Sequence, residues 1–172
     1  MMPTSARSLW SLTKRVPPDP AVLREKYLAP LLAYTQRRLR NRDDAEDAVA
    51  EVFGAAYAAL HRCPAPEWER AWLFGIARNK VADALKKRRK RAEVPLDSVA
   101  ERSTPFVQDS ELQEFLETLR PEWREVLLLK YVEGLSLAEI GRVVGKSDKA
   151  ISSLLQRARA AAQQALSSEE ES

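Results

Sequence analysis

The segment LSLAEIGRVVGKSDKAISSLLQRARAA, residues 135–161, constrains the fold more than any other stretch of this chain. Leu137, Ile140, Val143 and Val144 recur at helical spacing rather than in strand alternation. Ser136, followed three residues later by Glu139, forms a capping box that marks a helix start. Gly145 supplies a left-handed residue to end that helix, and Ser147 or Asp148 can cap the next one. A short helix, a sharp turn and a longer helix are therefore expected. The same stretch contains GRVVGKS, close to the phosphate loop GxxxxGK[ST]. Its spacing is one residue short, because Ile140 stands where the first glycine belongs, and a helix precedes it where a strand is required. The residues favour a helix–turn–helix over a nucleotide loop.

Helix is the expectation elsewhere too. The 172 residues are 45% hydrophobic and include only five glycines, and no convincing period-2 strand is bounded by turns. The longest aliphatic run, Val126 to Leu129, is far below the roughly 18 residues of a membrane span. The first 20 residues have no apolar core of secretory length. Cys63 is the sole cysteine and cannot form an internal disulfide, which suits a cytoplasmic chain. Net charge is only +3, so a charged partner surface has to be local.

Charge is indeed polarised along the sequence. NRDDAEDAVAEVF, residues 41–53, has five acidic residues and one arginine, whereas RNKVADALKKRRKR, residues 78–91, has eight basic residues and one aspartate. In the first half, Asp43 is the expected helix cap with Glu46 as its capping-box partner. Ala48, Val49, Val52, Phe53, Ala56, Tyr57 and Leu60 form an apolar stripe opposite Asp44, Asp47 and Glu51. Tyr27, Leu31, Tyr34 and Leu39 suggest an earlier helix, with Pro30 in its first turn or kinking it. A third helix follows the loop HRCPAP, with the stripe Leu73, Ile76, Ala77, Val81, Ala84 and Leu85. Four helices are expected to begin near Ser110, Pro121, Ser136 and Ser147, the first through a Ser110–Gln113 capping box and the second with Pro121 at its opening position. The expected divisions are an N-terminal extension (1–20), a helical domain (21–91), a linker (92–109), a helix–turn–helix domain (110–166) and an acidic tail (167–172).

Each functional feature has a plainer reading beside it. The run KKRRKR fits a solvated helix end, a localisation-type patch or a nucleic-acid contact. Arg78, Asn79 and Lys80, near Trp72 and Phe74, favour the last, because basic side chains neutralise phosphates, asparagine reads base edges and aromatic rings stack on unpaired bases. Trp72 and Phe74 also fit an ordinary core. The acidic face Asp43, Asp44, Asp47 and Glu51 is either a solvated surface or a site for a basic protein, since it would repel DNA. In the last helix, Lys149, Ser152, Ser153 and Gln156 share an outward face adjoined by Arg157, while Ala150, Ile151, Leu154 and Leu155 face the core; Arg142 and Lys146 lie where phosphates would pass. Helix–turn–helix patterns also occur outside DNA binding. Catalysis has little support: His61 and Cys63 are alone of their kinds, and a zinc site wants about four ligands. No metal, cofactor or small-molecule substrate is expected.

Taken in order, DDAEDAVAEVFGAAY, AWLFGIARNKVADALKKRRKR, LRPEWREVLLLKYVEGLSLAEIG and KSDKAISSLLQRARAA resemble the extracytoplasmic-function (ECF) group of bacterial RNA polymerase sigma factors over roughly residues 22–166. The resemblance implies an all-α chain of two small helical domains, sigma-2 and sigma-4, joined by a linker. It implies that the helix bearing Asp43, Asp44, Glu46, Asp47, Glu51 and Phe53 docks on the β′ clamp of core RNA polymerase, with the β flap as a second contact. The helix bearing Trp72, Arg78, Asn79, Lys80, Lys86, Lys87 and Arg88 would recognise and melt the promoter −10 element. The loop from His61 to Glu67 would hold a flipped base, and the linker would thread towards the RNA exit channel. Arg142, Lys146, Ser147, Lys149, Ser152, Ser153, Gln156 and Arg157 would read the −35 element.

By the same resemblance the chain does no chemistry, and an anti-sigma protein is an implied partner. The chain departs from the pattern at Ser152 and Leu154, where many members carry a basic residue, and at Gly75, where a larger one is common. The N-terminal extension has no counterpart; Leu9, Trp10 and Leu12 fit either a tail or a short amphipathic helix. Two other readings stand beside this one: a dimeric duplex-binding regulator, which the acidic face argues against, and a nucleotide-binding enzyme built on Gly145-Lys-Ser147.

Overall fold

Asp19 starts the first helix, α1 (Pro20–Leu39), by accepting the Ala21 N–H at 2.8 Å, and Pro20 takes the opening position, where a missing N–H costs nothing. This computed structural model describes residues 16–93 and 110–170, and every regular element among them is helical. Pro30 lies inside α1 rather than in its first turn. It is exposed on the face it shares with Lys26, whose carbonyl loses its helical partner there. Leu23, Tyr27, Leu31, Tyr34 and Leu39 are buried at helical spacing. The helix stops at Arg40, which adopts left-handed φ 57° and donates its N–H to Gln36.

Asn41 then caps α2 (Arg42–Ala58), accepting the Asp44 N–H at 3.1 Å. The expected Asp43–Glu46 capping box does not form. Asp43 falls in the first turn with Asp44, where negative charge suits the helix dipole, and Glu46 pairs instead with Arg42 one turn back. The stripe from Ala48 to Ala56 is buried, while Tyr57 and Leu60 are half-buried at its edge. Thr35, wholly buried, ties α1 to α2 by donating its hydroxyl to the Leu32 and Ala45 carbonyls. Two 3₁₀ turns, Leu60–Arg62 and Pro66–Trp68, lead into α3 (Glu69–Glu93).

The second half comprises α4 (Ser110–Thr118), α5 (Pro121–Leu127), α6 (Leu137–Val144) and α7 (Asp148–Glu170). The side chains of Ser110 and Gln113, the N-terminal 15 residues and the segment 94–109 lie outside the described residues. Pro121 opens α5 as expected. That helix continues into a π turn, Leu128–Val132, which periodicity does not reveal; Glu133 N–H reaches back to the Leu128 carbonyl at 2.9 Å. The capping box of α6 is complete, with Ser136 Oγ accepting the Glu139 N–H and the Glu139 carboxylate accepting the Ser136 N–H. Leu135 and Ile140 are both wholly buried in staple positions around it. Ser147 caps α7 by accepting the Ala150 N–H at 3.2 Å. α7 runs to Glu170, so the acidic tail begins as helix.

One continuous apolar cluster runs from Leu23 in α1 to Ala158 in α7. Helix α3 belongs to both halves, packing on α1 and α2 and also on α6. Its Phe74 meets Tyr34 edge-to-face, with centroids 5.2 Å apart.

Two glycines separate the backbone roles. Gly145 sits at φ 72°, and Gly141 approaches the turn so closely that a Cβ would lie 2.6 Å from the Lys146 carbonyl oxygen. Around Gly75 there is open space. Gly141→Ala should destabilise the chain by about 1–3 kcal/mol, whereas Gly75→Ala, in mid-helix, should stabilise it by roughly 0.5–1 kcal/mol. Urea denaturation of both variants checks the opposite signs.

Candidate nucleic-acid and polymerase interfaces

The acidic face is built on α2 as the sequence suggests. Asp43, Glu46, Asp47 and Glu51 are exposed and Asp44 is half-buried. Glu46 pairs with Arg42 at 2.8 Å and Glu51 with Lys80 at 3.4 Å, whereas the exposed Asp43 and Asp47 and the half-buried Asp44 make no salt bridge among the described residues. Phe53 is only 2% exposed; its ring tilts against Tyr57 and lies under Arg24. It supports the face from below and does not form part of its surface.

The basic residues of α3 are divided by their surroundings. Lys86 and Lys87 are exposed beyond the core. Arg88 is also exposed but donates to the Leu39 carbonyl at the end of α1, filling an acceptor that the helix leaves open. Trp72 is half-buried against the core, and Phe74 belongs to it. Arg78 donates its Nε to Glu125 of α5 at 2.9 Å, and this hydrogen bond raises its pKa further. Arg78 and exposed Asn79 line a cleft of about 940 Å³ between the halves, along with Tyr34, Arg38, Leu85 and Leu116. Burial raises the pKa of Tyr34 to about 12 at the side of this cleft.

On α7, Lys149, Ser152, Gln156 and Arg157 are exposed and Ser153 is half-buried, so the expected outward face is present. Ile151, Leu154, Leu155 and Ala158 are buried. Ala150, expected in the core, is exposed: the buried stripe is complete at spacings of three and four without it. Ser147 serves as the cap, and Lys146 is exposed in the turn. Arg142 does not point freely outward; its guanidinium lies 3.6 Å from the centroid of the Trp68 ring in the first half.

Long-range ion pairs that no local pattern discloses join the halves. Arg70 grips Glu139 through two hydrogen bonds, at 3.1 and 2.8 Å, and also donates to the Gly134 carbonyl. Arg37 meets Glu133 at 2.6 Å, and Arg40 meets Glu117. The π turn delivers Glu133 to a nearly buried position, its side chain 6% exposed. Among the described residues no group of three His, Cys, Asp or Glu could hold a metal, and no helix is long and apolar enough to cross a membrane.

Comparison with known proteins follows this division. Residues 23–91 match sigma-70 region 2, and residues 109–161 match sigma-70 region 4. The chain is a sigma-70 family protein of the ECF group. It is 33% identical over 154 residues to the ECF RNA polymerase sigma factor BldN of Streptomyces coelicolor, covering 79% of this chain and 56% of that one. It is 25% identical over 123 residues to the RNA polymerase sigma factor SigV of Bacillus subtilis, covering 70% and 74% respectively. The chain thus spans little more than half of one curated relative and about three quarters of the other. Among solved structures it resembles the sigma factor RpoE of Bartonella quintana, solved with the anti-sigma factor NepR, at TM-score 0.66 and 25% identity over 84% of this chain and 94% of that one. In this sigma protein α1–α3 correspond to region 2, and α4–α7 to region 4.

Burial pushes the Glu139 carboxyl upward, but the Arg70 and Ser136 hydrogen bonds outweigh it and hold the pKa below its ordinary 4.5. A carboxylate depressed in the folded state adds stability that is present above the unfolded pKa and lost as pH falls through the folded one. The stability advantage of the wild type over Glu139→Gln should therefore be constant near neutrality and shrink below about pH 4.5. Denaturation of both proteins at stepped pH gives the answer; an unchanging gap would mean that Glu139 is not held this way.

Proposed function

We propose that this chain binds core RNA polymerase and directs it to promoters, without bond-making chemistry of its own. In this reading Asp43 and Asp47, flanked by Asp44, Glu46 and Glu51, face the β′ clamp, with Phe53 holding the helix beneath them, and the second half meets the β flap. Trp72, Arg78, Asn79, Lys80, Lys86, Lys87 and Arg88 take the −10 element and help open it. Arg142, Lys146, Ser147, Lys149, Ser152, Ser153, Gln156 and Arg157 take the −35 duplex. Division of the chain into residues 21–91 and 110–166 about a linker belongs to this reading, as does a cytoplasmic location.

The observation that carries the proposal is the ordered pair of matches to sigma-70 regions 2 and 4 laid over three separate charged faces: acidic on α2, basic on α3 and mixed polar and basic on α7. Basic faces supply phosphate affinity, while a recognition helix that carries Lys149 in its first turn and Gln156 on the same outward face supplies base-edge donors and acceptors. An acidic face on the same small protein suits a basic protein surface and not DNA. The B. quintana sigma factor was solved with an anti-sigma factor, and we extend that kind of partner to this chain.

In vitro transcription from fragments of the source genome, with core RNA polymerase and either the wild type or an Asp43→Arg, Asp47→Arg variant, tests the proposal. Discrete transcripts should appear with the wild type. They should fall at least about tenfold in the variant together with core affinity, a change of about 1.4 kcal/mol or more, while its helical circular dichroism is retained. No transcripts and no core affinity with the wild type would overturn the proposal.

A further inference from the structure

We propose that the cleft lined by α1, α3, α4 and α5 is a binding site for a long-chain carboxylate, with Arg38 and Tyr34 holding the head group and the aliphatic wall holding the chain. The ligand is bound and not turned over. The site goes beyond promoter recognition and does not rest on it: Arg78 and Asn79 also line the cleft, but the head-group contacts use neither. At about 940 Å³ the cleft has the size of pockets that bury a small molecule. Its apolar wall is aliphatic, with Val81 and Leu85 from α3, Leu112 and Leu116 from α4, and Leu128 and Val132 from the π turn. Leu112 and Val132 are exposed, so apolar area on this wall is open to an apolar chain.

Two polar atoms define the head-group end. Nη2 of Arg38 and Oη of Tyr34 are buried without a hydrogen-bond partner in the protein, and both residues line the cleft. Buried polar groups are nearly always paired, so two orphans on one cavity wall mark a place for an outside partner. They lie together: the Arg38 guanidinium is 3.6 Å from the centroid of the Tyr34 ring. Both can donate. Burial lifts the Tyr34 pKa to about 12, so its hydroxyl keeps its proton at physiological pH. A group that accepts from both and answers the charge of the arginine is a carboxylate. The cleft's own carboxylates are engaged elsewhere, Glu125 with Arg78 and Glu117 with Arg40. Of its other arginines, Arg37 pairs with Glu133 and Arg124 donates to the carbonyls of Leu116, Glu117 and Leu119. Arg38 makes no salt bridge among the described residues, and one open guanidinium suits a single negative charge better than a phosphate dianion. A carboxylate that takes Nη2 draws the guanidinium towards the cleft and uncovers the Tyr34 hydroxyl beneath it.

The test uses the full chain and the fluorescent probe dansylaminoundecanoate, displaced by dodecanoate below its micelle concentration. Dodecanoate should displace the probe at least about tenfold better than octanoate, which buries fewer methylenes, and at least about tenfold better than dodecanol, which lacks the charge. Arg38→Gln removes the head-group contact, and Leu112→Trp, at an exposed position, fills the space of the chain. Each should weaken binding about tenfold with helical circular dichroism retained. Arg159→Gln makes the same charge change on the exposed surface of α7 and should alter binding by less than about twofold. Tyr34→Phe deletes an unpaired buried hydroxyl, so it should raise the melting temperature of the free chain while weakening dodecanoate binding. No displaceable binding, equal binding of dodecanol, or binding that either Arg38→Gln or Leu112→Trp leaves unchanged would overturn the proposal. So would a Tyr34→Phe chain that melts lower and binds as before, because the hydroxyl would then be satisfied without a ligand.

Discussion

The carboxylate of Glu139 is held from two directions at once. Its Oε2 accepts the Ser136 N–H that starts α6 and also Nη2 of Arg70 on α3, while Oε1 takes Nε of the same arginine. One side chain therefore fixes where the turn-bearing helix begins and where that helix sits against the other half. The residue is 9% exposed, so removing either partner leaves a charge with poor access to water. Each charge-assisted bond contributes about 1.5–3 kcal/mol in a shielded setting. Because Arg70 is 37% exposed, the lower end applies here.

From that anchor the rest of the arrangement follows. α6 cannot rotate without breaking its own cap, so Gly141, Gly145 and the start of α7 are oriented relative to α3. The polar face of α7 then points away from the shared core, because Ile151, Leu154, Leu155 and Ala158 are drawn into it. On the other side, α1 and α2 pack on α3 through Tyr34, Phe74 and the stripe of α2, which turns Asp43 and Asp47 outward. Helix α3 is the common wall. Its charged end, Lys86 to Arg91, projects beyond the core, while its middle is enclosed by both halves.

Local features of the fold were legible in the residues, and for a physical reason: caps and turns are set by side chains within four positions of one another. Ser136 with Glu139, Gly145, Ser147 and Pro121 act as their chemistry indicates. Where two cap-forming residues lie close together, the pattern misleads. Asn41 rather than Asp43 starts α2, since either can accept an N–H and only the chain path out of α1 decides between them. The faces of α2 and α7 were readable from period alone, with Ala150 an exception because alanine carries too little apolar surface to define a face. The π turn and the bridges between halves were not readable. Arg70 and Glu139 are 69 positions apart, and an arginine bound to a distant glutamate has the same local signature as one in water. For that reason Arg78 and Arg142 read as free cations in the sequence and are partnered in the fold.

The closed arrangement about Glu139 is most directly tested by pulsed electron paramagnetic resonance. Spin labels at exposed Ala50 of α2 and exposed Ala160 of α7, in a Cys63→Ala background, report the separation of the halves. The free chain should give one narrow, short distance distribution, which Glu139→Ala should broaden. A broad, long distribution in the free chain, or one that Glu139→Ala leaves unchanged, would contradict it.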